Sequence, residues 1–338
     1  MQLWTYIFRR LLLLIPVLLG VSILTFVIMR AAGDPVTAYL QNPEKATEAQ
    51  IRLIEQKYHL NEPEYIQYWY WLNGVLHGDM GYSRMAGLPV TQAIALKFPA
   101  TFELALISVF FAVVAGIGLG TRSAVKANSA FDQTTRVTSL VAVSIPVFWL
   151  GLILLMIFYR GLGWLPGPTG RLGTTQELHV VTGFFLIDSI LSGKLSLFVD
   201  VVEHLALPSI TLAFASTALI VRMMRSSMLE VLGAEYVRTA RAKGLPEKVV
   251  INRHARRNAL IPTVTVVGLS FGGLLGGAVL TETVFNWPGL GQWSAQAALN
   301  LDTAGIMGFT LLTALIYVLS NLVVDIIYAY LDPRVRLG

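Results

Sequence analysis

The chain has 338 residues, of which 55% are hydrophobic and only 13% are charged, with a formal net charge of +5. Soluble domains carry about 25% charged residues, so this chain lacks the polar side chains with which a soluble enzyme covers its surface. The composition and the mean hydropathy of +0.64 indicate an all-α polytopic membrane protein. The positive charge does not indicate a nucleic-acid partner, because the basic residues adjoin apolar segments. The absence of cysteine excludes disulfides and thiolate metal ligands.

Six apolar segments are long enough to cross a bilayer core about 30 Å thick as helices. The first follows Arg9 and Arg10; it is too long for the apolar part of a signal peptide, and we expect it to be retained. Pro146 lies inside the third segment and predicts a kink there. The predicted spans are residues 11–29, 104–119, 137–158, 205–221, 262–280 and 306–330.

The distribution of Lys and Arg predicts that both termini are cytoplasmic. With the N-terminus inside, 16 of the 25 basic residues lie on inner segments, and nine of these fall in residues 222–258. The opposite orientation would place that segment outside, against the positive-inside rule. The resulting division is a first transmembrane helix (1–30), an outer helical region (31–100) and a five-helix core (101–338) with a long outer loop at 159–204.

The outer region contains a segment rich in aromatic residues at 63–76. Two interpretations remain open for it. The segment forms an aromatic belt at the membrane interface, or it belongs to a packed outer subdomain that meets a partner. The aromatic residues are Tyr65, Tyr68, Trp69, Tyr70 and Trp71.

No catalytic, metal-binding or nucleotide-binding motif is present in the sequence. The five histidines are scattered, and neither H-E-x-x-H nor G-x-S-x-G occurs. Gly116 and Gly120 have the G-x-x-x-G spacing that is typical of close helix packing. We therefore expect no catalytic residues, no metal and no cofactor in this chain.

The inner segment 222–258 contains a predicted helix over residues 235–243, with Gly244 and Pro246 as its stop. Tyr236, Thr239, Ala240 and Lys243 share one face of this helix at i, i+3, i+4 and i+7 spacing. Small residues on that face would let the groove of another protein close around the helix. The alternative is an ordinary basic loop that touches lipid headgroups.

These residues resemble the cytoplasmic signature of ABC importer permeases, and more narrowly the dipeptide/oligopeptide subfamily, which also includes nickel and glutathione importers. The resemblance extends over essentially the whole chain. It rests on Glu235-Tyr-Val-Arg-Thr-Ala-Arg-Ala-Lys-Gly-Leu245, Gly33-Asp34-Pro35, Gly78-Asp79-Met80-Gly81, Ser144-Ile-Pro-Val-Phe-Trp149, Thr281-Glu-Thr-Val-Phe-Asn-Trp-Pro-Gly-Leu-Gly291 and Leu331-Asp-Pro-Arg-Val-Arg336. The broader importer signature has glutamate where this chain has Arg238, a departure that fits the peptide subfamily better than sugar or phosphate importers.

The resemblance implies a multi-pass permease subunit of the bacterial cytoplasmic (inner) membrane, which is not itself an enzyme. A sister permease would complete the path, and two ATPase subunits would bind ATP and Mg²⁺. A periplasmic or lipid-anchored binding protein would deliver di- or oligopeptides for alternating access; glutathione, a nickel chelate or another small solute is the alternative cargo. The coupling helix that contacts an ATPase would comprise Glu235, Tyr236, Arg238, Thr239, Ala240, Arg241, Lys243 and Gly244, within a coupling loop at 222–258.

Several residues in or beside the spans are candidates for the translocation path or its gate. Close packing is the alternative for a glycine stripe in the fifth span, and a structural hydrogen bond to the Trp287 turn is the alternative for Glu282. For Asp325, an intramembrane carboxylate, the alternative is pairing with Arg334 or another inner arginine. The candidates are Ser144, Pro146, Gly268, Gly272, Gly276, Glu282 and Asp325.

Overall fold

The computed structural model describes residues 3–32, 36, 40, 46–173 and 177–331, and the described chain is mostly helical. The motif Gly33-Asp34-Pro35 and the tail 332–338, with Arg334, lie outside the described residues. A short antiparallel hairpin, β1 (Tyr82–Ser83) and β2 (Leu88–Pro89), pairs Tyr82 with Pro89. The helices are α1 (Leu3–Ala32), α2 (Glu48–Lys57), α3 (Glu64–Leu76), α4 (Val90–Val125), α5 (Ala130–Ser144), α6 (Val147–Leu154), α7 (Phe185–Leu191), α8 (Leu195–Leu232), α9 (Glu235–Ala242), α10 (Glu247–Val249), α11 (Arg256–Gly277), α12 (Val279–Val284), α13 (Leu290–Leu299) and α14 (Thr303–Leu331).

Five helical segments are long and apolar enough to cross a membrane. A sixth is added if α5 and the helix after it, which continues as a π-helical turn to Gly161, count as one bent span. The five straight segments are Leu11–Ala31, Val90–Val125, Leu195–Leu232, Glu247–Gly276 and Thr303–Ile327.

The predicted third span, residues 137–158, is not a single helix. The helix breaks between α5 and α6, and the two parts are bent by 102°. Pro146 has no N–H to continue the helical ladder, and its ring disfavours a helical backbone at the residue before it. Ile145 accordingly has an extended backbone, with φ −79° and ψ 125°. The predicted kink is therefore a complete break.

The helices also extend beyond the predicted apolar segments. The boundary that we placed after residue 100 falls inside α4, and the end of the predicted outer loop at residue 204 falls inside α8. His204 is buried there, where its Nδ1 lies 2.7 Å from the carbonyl oxygen of Asp200 and its Nε2 lies 3.0 Å from Thr169 Oγ1. Because a polar residue with such hydrogen-bond partners can lie inside a long helix, the apolar segment alone placed the start of this helix too late.

The pair α4 and α8 forms the centre of the protein. The two helices run in the same direction, because Gly116 faces Ile220 and Gly120 faces Met224. A Cβ atom on Gly116 would lie 2.5 Å from Ile220 Cγ2, and one on Gly120 would lie 2.9 Å from the carbonyl oxygen of Val221. The prediction of close helix packing at the Gly116/Gly120 spacing is confirmed.

Candidate functional site

Helix α9 is anchored to the rest of the chain by a small apolar cluster. Val237 and Ala240, one turn apart, are buried against Val250 in the π-helical turn before α11, with Val231 of α8 packed beside them. Because one face of this short helix is fixed by packing, the opposite face has a defined position. That exposed face presents Glu235, Tyr236, Arg238, Thr239, Arg241 and Lys243.

The predicted contact face of this helix is corrected at one position. Tyr236, Thr239 and Lys243 are exposed as predicted, but Ala240 is only 6% exposed and faces the chain's own core. Apolar residues at i and i+3 bury together, and Val237 is the residue that turns Ala240 inward. The exposed surface of α9 therefore carries fewer small side chains than the sequence pattern predicted, and a larger share of it is basic.

The predicted stop of this helix is confirmed. The helix ends at Ala242, Lys243 caps it, and Gly244 has a φ of +75°. This left-handed conformation is one that glycine adopts without steric cost. Arg241 spans the turn and donates two hydrogen bonds to Glu247, at 3.1 and 2.7 Å.

Two further polar contacts hold the side chains of α9. Arg238 pairs with Glu235 at 2.9 Å, and Asn258 of α11 donates to the hydroxyl oxygen of Tyr236 at 2.8 Å. Arg238 is 68% exposed and Glu235 is 85% exposed. Because an exposed ion pair contributes only about 0.2–1 kcal/mol, Arg238 can exchange Glu235 for another acidic partner at little cost.

An ion pair with a fully buried carboxylate connects α4, α5 and α8. Asp132 at the start of α5 has no exposed surface and accepts two hydrogen bonds from Arg225 of α8, at 2.6 and 2.7 Å. Ser123 of α4 donates to the same carboxylate at 2.5 Å, and the Asn128 N–H donates to it at 2.9 Å. We call this cluster of Ser123, Asp132 and Arg225 the inner clamp.

Two open spaces lie along the membrane-spanning helices. A cavity of about 510 Å³ lies between α4, α5 and α8; it is mostly apolar, with a row of hydroxyls from Thr134, Thr135 and Thr138. A groove of about 520 Å³ lies at the break between α5 and α6, where Ser144 and Pro146 line it. Of the predicted path candidates, these two residues border open space.

The glycine stripe of the fifth span faces another helix of the same chain. A Cβ atom on Gly276 would lie 2.6 Å from Thr313, one on Gly272 would lie 3.2 Å from Tyr317, and one on Gly268 would overlap Val324. These three partners belong to α14. The three glycines therefore pack α11 against α14 and do not face an open path. Asp325 is half-buried on α14.

Glu282 of α12 is fully buried. Thr101 donates to its carboxylate at 2.6 Å, the Gln292 N–H donates at 2.8 Å, and the Trp287 N–H donates to its backbone carbonyl at 2.7 Å. Burial raises the pKa of Glu282 to about 7. The motif 281–291 thus wraps around this carboxyl group, which corrects the gate interpretation in favour of the structural hydrogen bond.

Two more buried carboxylates, which the sequence did not single out, tie the outer segments together. Glu103 of α4 pairs with Arg171 at 2.7 Å and accepts a hydrogen bond from the Leu186 N–H. Asp302 accepts hydrogen bonds from Ser83 at 2.5 Å and from the Met85 N–H at 3.1 Å, which fixes the β1–β2 hairpin. The sequence contained one indication for Glu103, because it is a lone carboxylate directly before the apolar segment 104–119.

Known proteins match this chain over its full length. Residues 88–337 match the model of a family described as binding-protein-dependent transport system inner membrane component, and residues 3–105 match the model of its N-terminal part. The chain is 42% identical to the probable D,D-dipeptide transport system permease protein DdpB of Escherichia coli K12, covering 100% of this chain and 99% of that protein. It is 44% identical to the dipeptide transport system permease protein DppB of Alkalihalophilus pseudofirmus and 41% identical to the oligopeptide transport system permease protein AppB of Bacillus subtilis 168, in each case over 98% of this chain and 99% of the relative.

Proposed function

Because the chain belongs to the family of binding-protein-dependent transport system inner membrane components, we propose that it is a permease subunit of an ATP-binding-cassette importer for di- and oligopeptides. The full-length similarity to dipeptide and oligopeptide permeases carries this proposal. The protein is a multi-pass transport subunit of the inner membrane and not an enzyme.

The proposed topology has six spans with both termini in the cytoplasm. The bent pair α5 and α6 supplies one of these spans, and the five straight segments supply the others. The excess of Lys and Arg on the segments that this topology places inside supports the orientation. In the same topology α9 lies on the cytoplasmic side and the network around Glu282 lies on the outer side.

The proposed mechanism distributes the work over several chains. A sister permease forms the path together with this subunit, and a binding protein delivers the peptide at the outer face. Two ATPase subunits bind ATP and Mg²⁺ and close on each other. Alternating access follows if their closure favours one of two arrangements of the permease helices.

Helix α9 is the proposed coupling helix. Its buried face is fixed by Val237 and Ala240, so a force on its exposed face passes to the residues on which they pack, Val231 and Val250. Only Gly233 and Ala234 separate it from α8, and the inner clamp ties α8 to α4 and α5. Movement of α9 would therefore move the inner ends of three helices together.

The test changes the exposed face of α9 in the complete importer, reconstituted in proteoliposomes. Arg238→Glu and Thr239→Trp alter side chains that face away from the protein core. We expect at least a tenfold loss of peptide uptake and of ATPase stimulation by the loaded binding protein, with an unchanged melting temperature of the permease. Lys126→Glu, at the exposed inner end of α4, is the matched charge reversal and should retain uptake.

Wild-type uptake in both α9 variants would overturn the assignment of the coupling helix. The cargo is tested separately in the wild-type complex by measuring ATPase stimulation with dipeptides, a pentapeptide, glutathione and a nickel chelate. Stimulation by the chelate or glutathione alone would contradict the peptide cargo and leave the permease role intact.

A further inference from the structure

Helix α3 presents an apolar face that no described part of the chain covers. Tyr65, Trp69 and Leu76 are 74%, 66% and 76% exposed and lie on one side of the helix, at i, i+4 and i+11. From Tyr65 to Leu76 the helix contains no charged residue. The preceding helix α2 differs, because it carries Glu48, Arg52, Glu55 and Lys57.

An adjacent side of α3 packs against the first long apolar helix, α1. The Tyr68 hydroxyl lies 2.8 Å from Ser22 Oγ, and the ring of Phe26 lies 5.5 Å from that of Tyr68 and 5.8 Å from that of Trp71. Ring centroids at these separations lie within the range of favourable aromatic pairs. Helix α3 is thus fixed to α1 by two aromatic residues and a hydrogen bond.

This contact lies well inside the apolar segment of α1. Ser22 is nine residues from Ala31, the outer end of the segment Leu11–Ala31, which at 1.5 Å per residue is about 14 Å. Phe26 is five residues from the same end, or about 8 Å. Half of a bilayer core is about 15 Å thick. In the proposed topology, the side chains of Tyr68 and Trp71 therefore reach into the outer leaflet, so α3 lies at the membrane and not above it.

We propose that α3 is an interfacial helix that lies in the outer leaflet, with Tyr65, Trp69 and Leu76 in contact with lipid. Leu24 and Ile28, on the side of α1 that faces away from α3, are also exposed and apolar, as expected for a helix surrounded by lipid. Tyr and Trp suit the boundary between headgroups and acyl chains, because their rings are apolar and their O–H and N–H groups reach water. Of the two interpretations that the sequence leaves open for residues 63–76, this selects the membrane interface.

The absence of cysteine from the chain makes a direct test possible. Single Tyr65→Cys and Trp69→Cys variants are spin-labelled in the complete importer, in nanodiscs of phosphatidylethanolamine and phosphatidylglycerol. The label's collision rates with oxygen, which partitions into lipid, and with a water-soluble nickel chelate are then compared. Leu24→Cys in α1 is the lipid control, Leu53→Cys, 66% exposed on α2, is the water control, and the unmodified chain gives the background from partner subunits.

We expect labels at 65 and 69 to prefer oxygen over the nickel chelate several-fold, as at residue 24, and the label at 53 to show the reverse. A preference for the nickel chelate at 65 and 69 would overturn the proposal, since α3 would then lie in water. Protection from both reagents would also overturn it, and would indicate a protein partner on this face. ATPase stimulation by the peptide-loaded binding protein in the same samples is a separate readout, because the position of α3 does not depend on the cargo.

Discussion

Single buried carboxylates hold together segments that are distant in the sequence. Asp132 and Glu282 have no exposed surface, and each accepts hydrogen bonds from at least two different elements. Leaving such a group without partners costs far more than removing an exposed one. The stability of the helix arrangement is therefore concentrated in a few residues.

Loss of the carboxylate of the inner clamp should destabilise the subunit strongly. In Asp132→Ala, Arg225 keeps its charge but loses both hydrogen bonds; because its side chain is 19% exposed, the expected cost is about 1–3 kcal/mol in the free energy of unfolding. Thermal unfolding of the purified complex in detergent measures it. Glu235→Gln removes an exposed pair and should cost about 1 kcal/mol or less; equal shifts in both variants would contradict the role of the clamp.

The raised pKa of Glu282 predicts a pH dependence. Because its pKa rises from 4.5 in the unfolded chain to about 7 in the fold, the folded state holds the proton more tightly. Its stabilising contribution is full below pH 4.5 and is lost as the pH rises through about 7.

Glu282→Gln keeps the shape of the side chain and removes the titration. Between pH 5 and pH 8 the melting temperature should fall less in the variant than in the wild type. The same pH slope in both would mean that burial does not raise this pKa.

At the level of elements, glycine spacing decides how closely two helices approach. Gly120 faces the backbone of α8, whereas a Cβ atom on Gly118 in the same helix would meet no atom within 4 Å. The two glycines are only two residues apart, so they form a matched pair. The difference between them isolates the contact of α4 with α8.

Gly120→Ala should cost about 1–3 kcal/mol, because the added methyl group forces the helices apart. Gly118→Ala should be neutral or stabilise by up to about 1 kcal/mol, since alanine is the better helix former. Thermal unfolding in detergent compares them. A larger loss in Gly118→Ala would show that α4 does not pack on α8 by this face.

At the level of the whole molecule, α4 connects two separate polar networks. Glu103, in the first half of α4, pairs with Arg171, and Ser123, near the end of α4 at Val125, belongs to the inner clamp. Twenty residues separate these positions, which is about 30 Å along the helix. These two positions on α4 are thus held independently, by separate networks.

Independence predicts additive energetics. The double variant Glu103→Gln, Asp132→Asn should lose the sum of the two single losses within about 0.5 kcal/mol, because distant sites without shared partners add. The free energies of unfolding of the wild type, both single variants and the double variant together give the coupling energy. A coupling energy above about 1 kcal/mol would show that the two networks share one cooperative element.

Local signals predicted much of this architecture. The helix after residue 235 was predicted nearly to its end, because its composition and the Gly244–Pro246 stop act within a few residues. The position of the break at Pro146 was also local, but its 102° angle depends on the surrounding packing. Glu103 and Arg171 are 68 residues apart in sequence, and no periodicity relates them. Ala240 was placed on the wrong face because its neighbour Val250 comes from another element.

The break at Pro146 also has a consequence for hydration. Proline cannot donate to the carbonyl of Ala142, which a continuous helix would satisfy. In hydrocarbon a carbonyl without a donor costs several kcal/mol, and irregular backbone at membrane depth occurs only beside water or protein. Ala142 is only 4% exposed and lines the cavity between α4, α5 and α8. Its carbonyl is therefore enclosed by this chain, where a water in the cavity can donate to it, and lipid tails are excluded from this stretch of backbone.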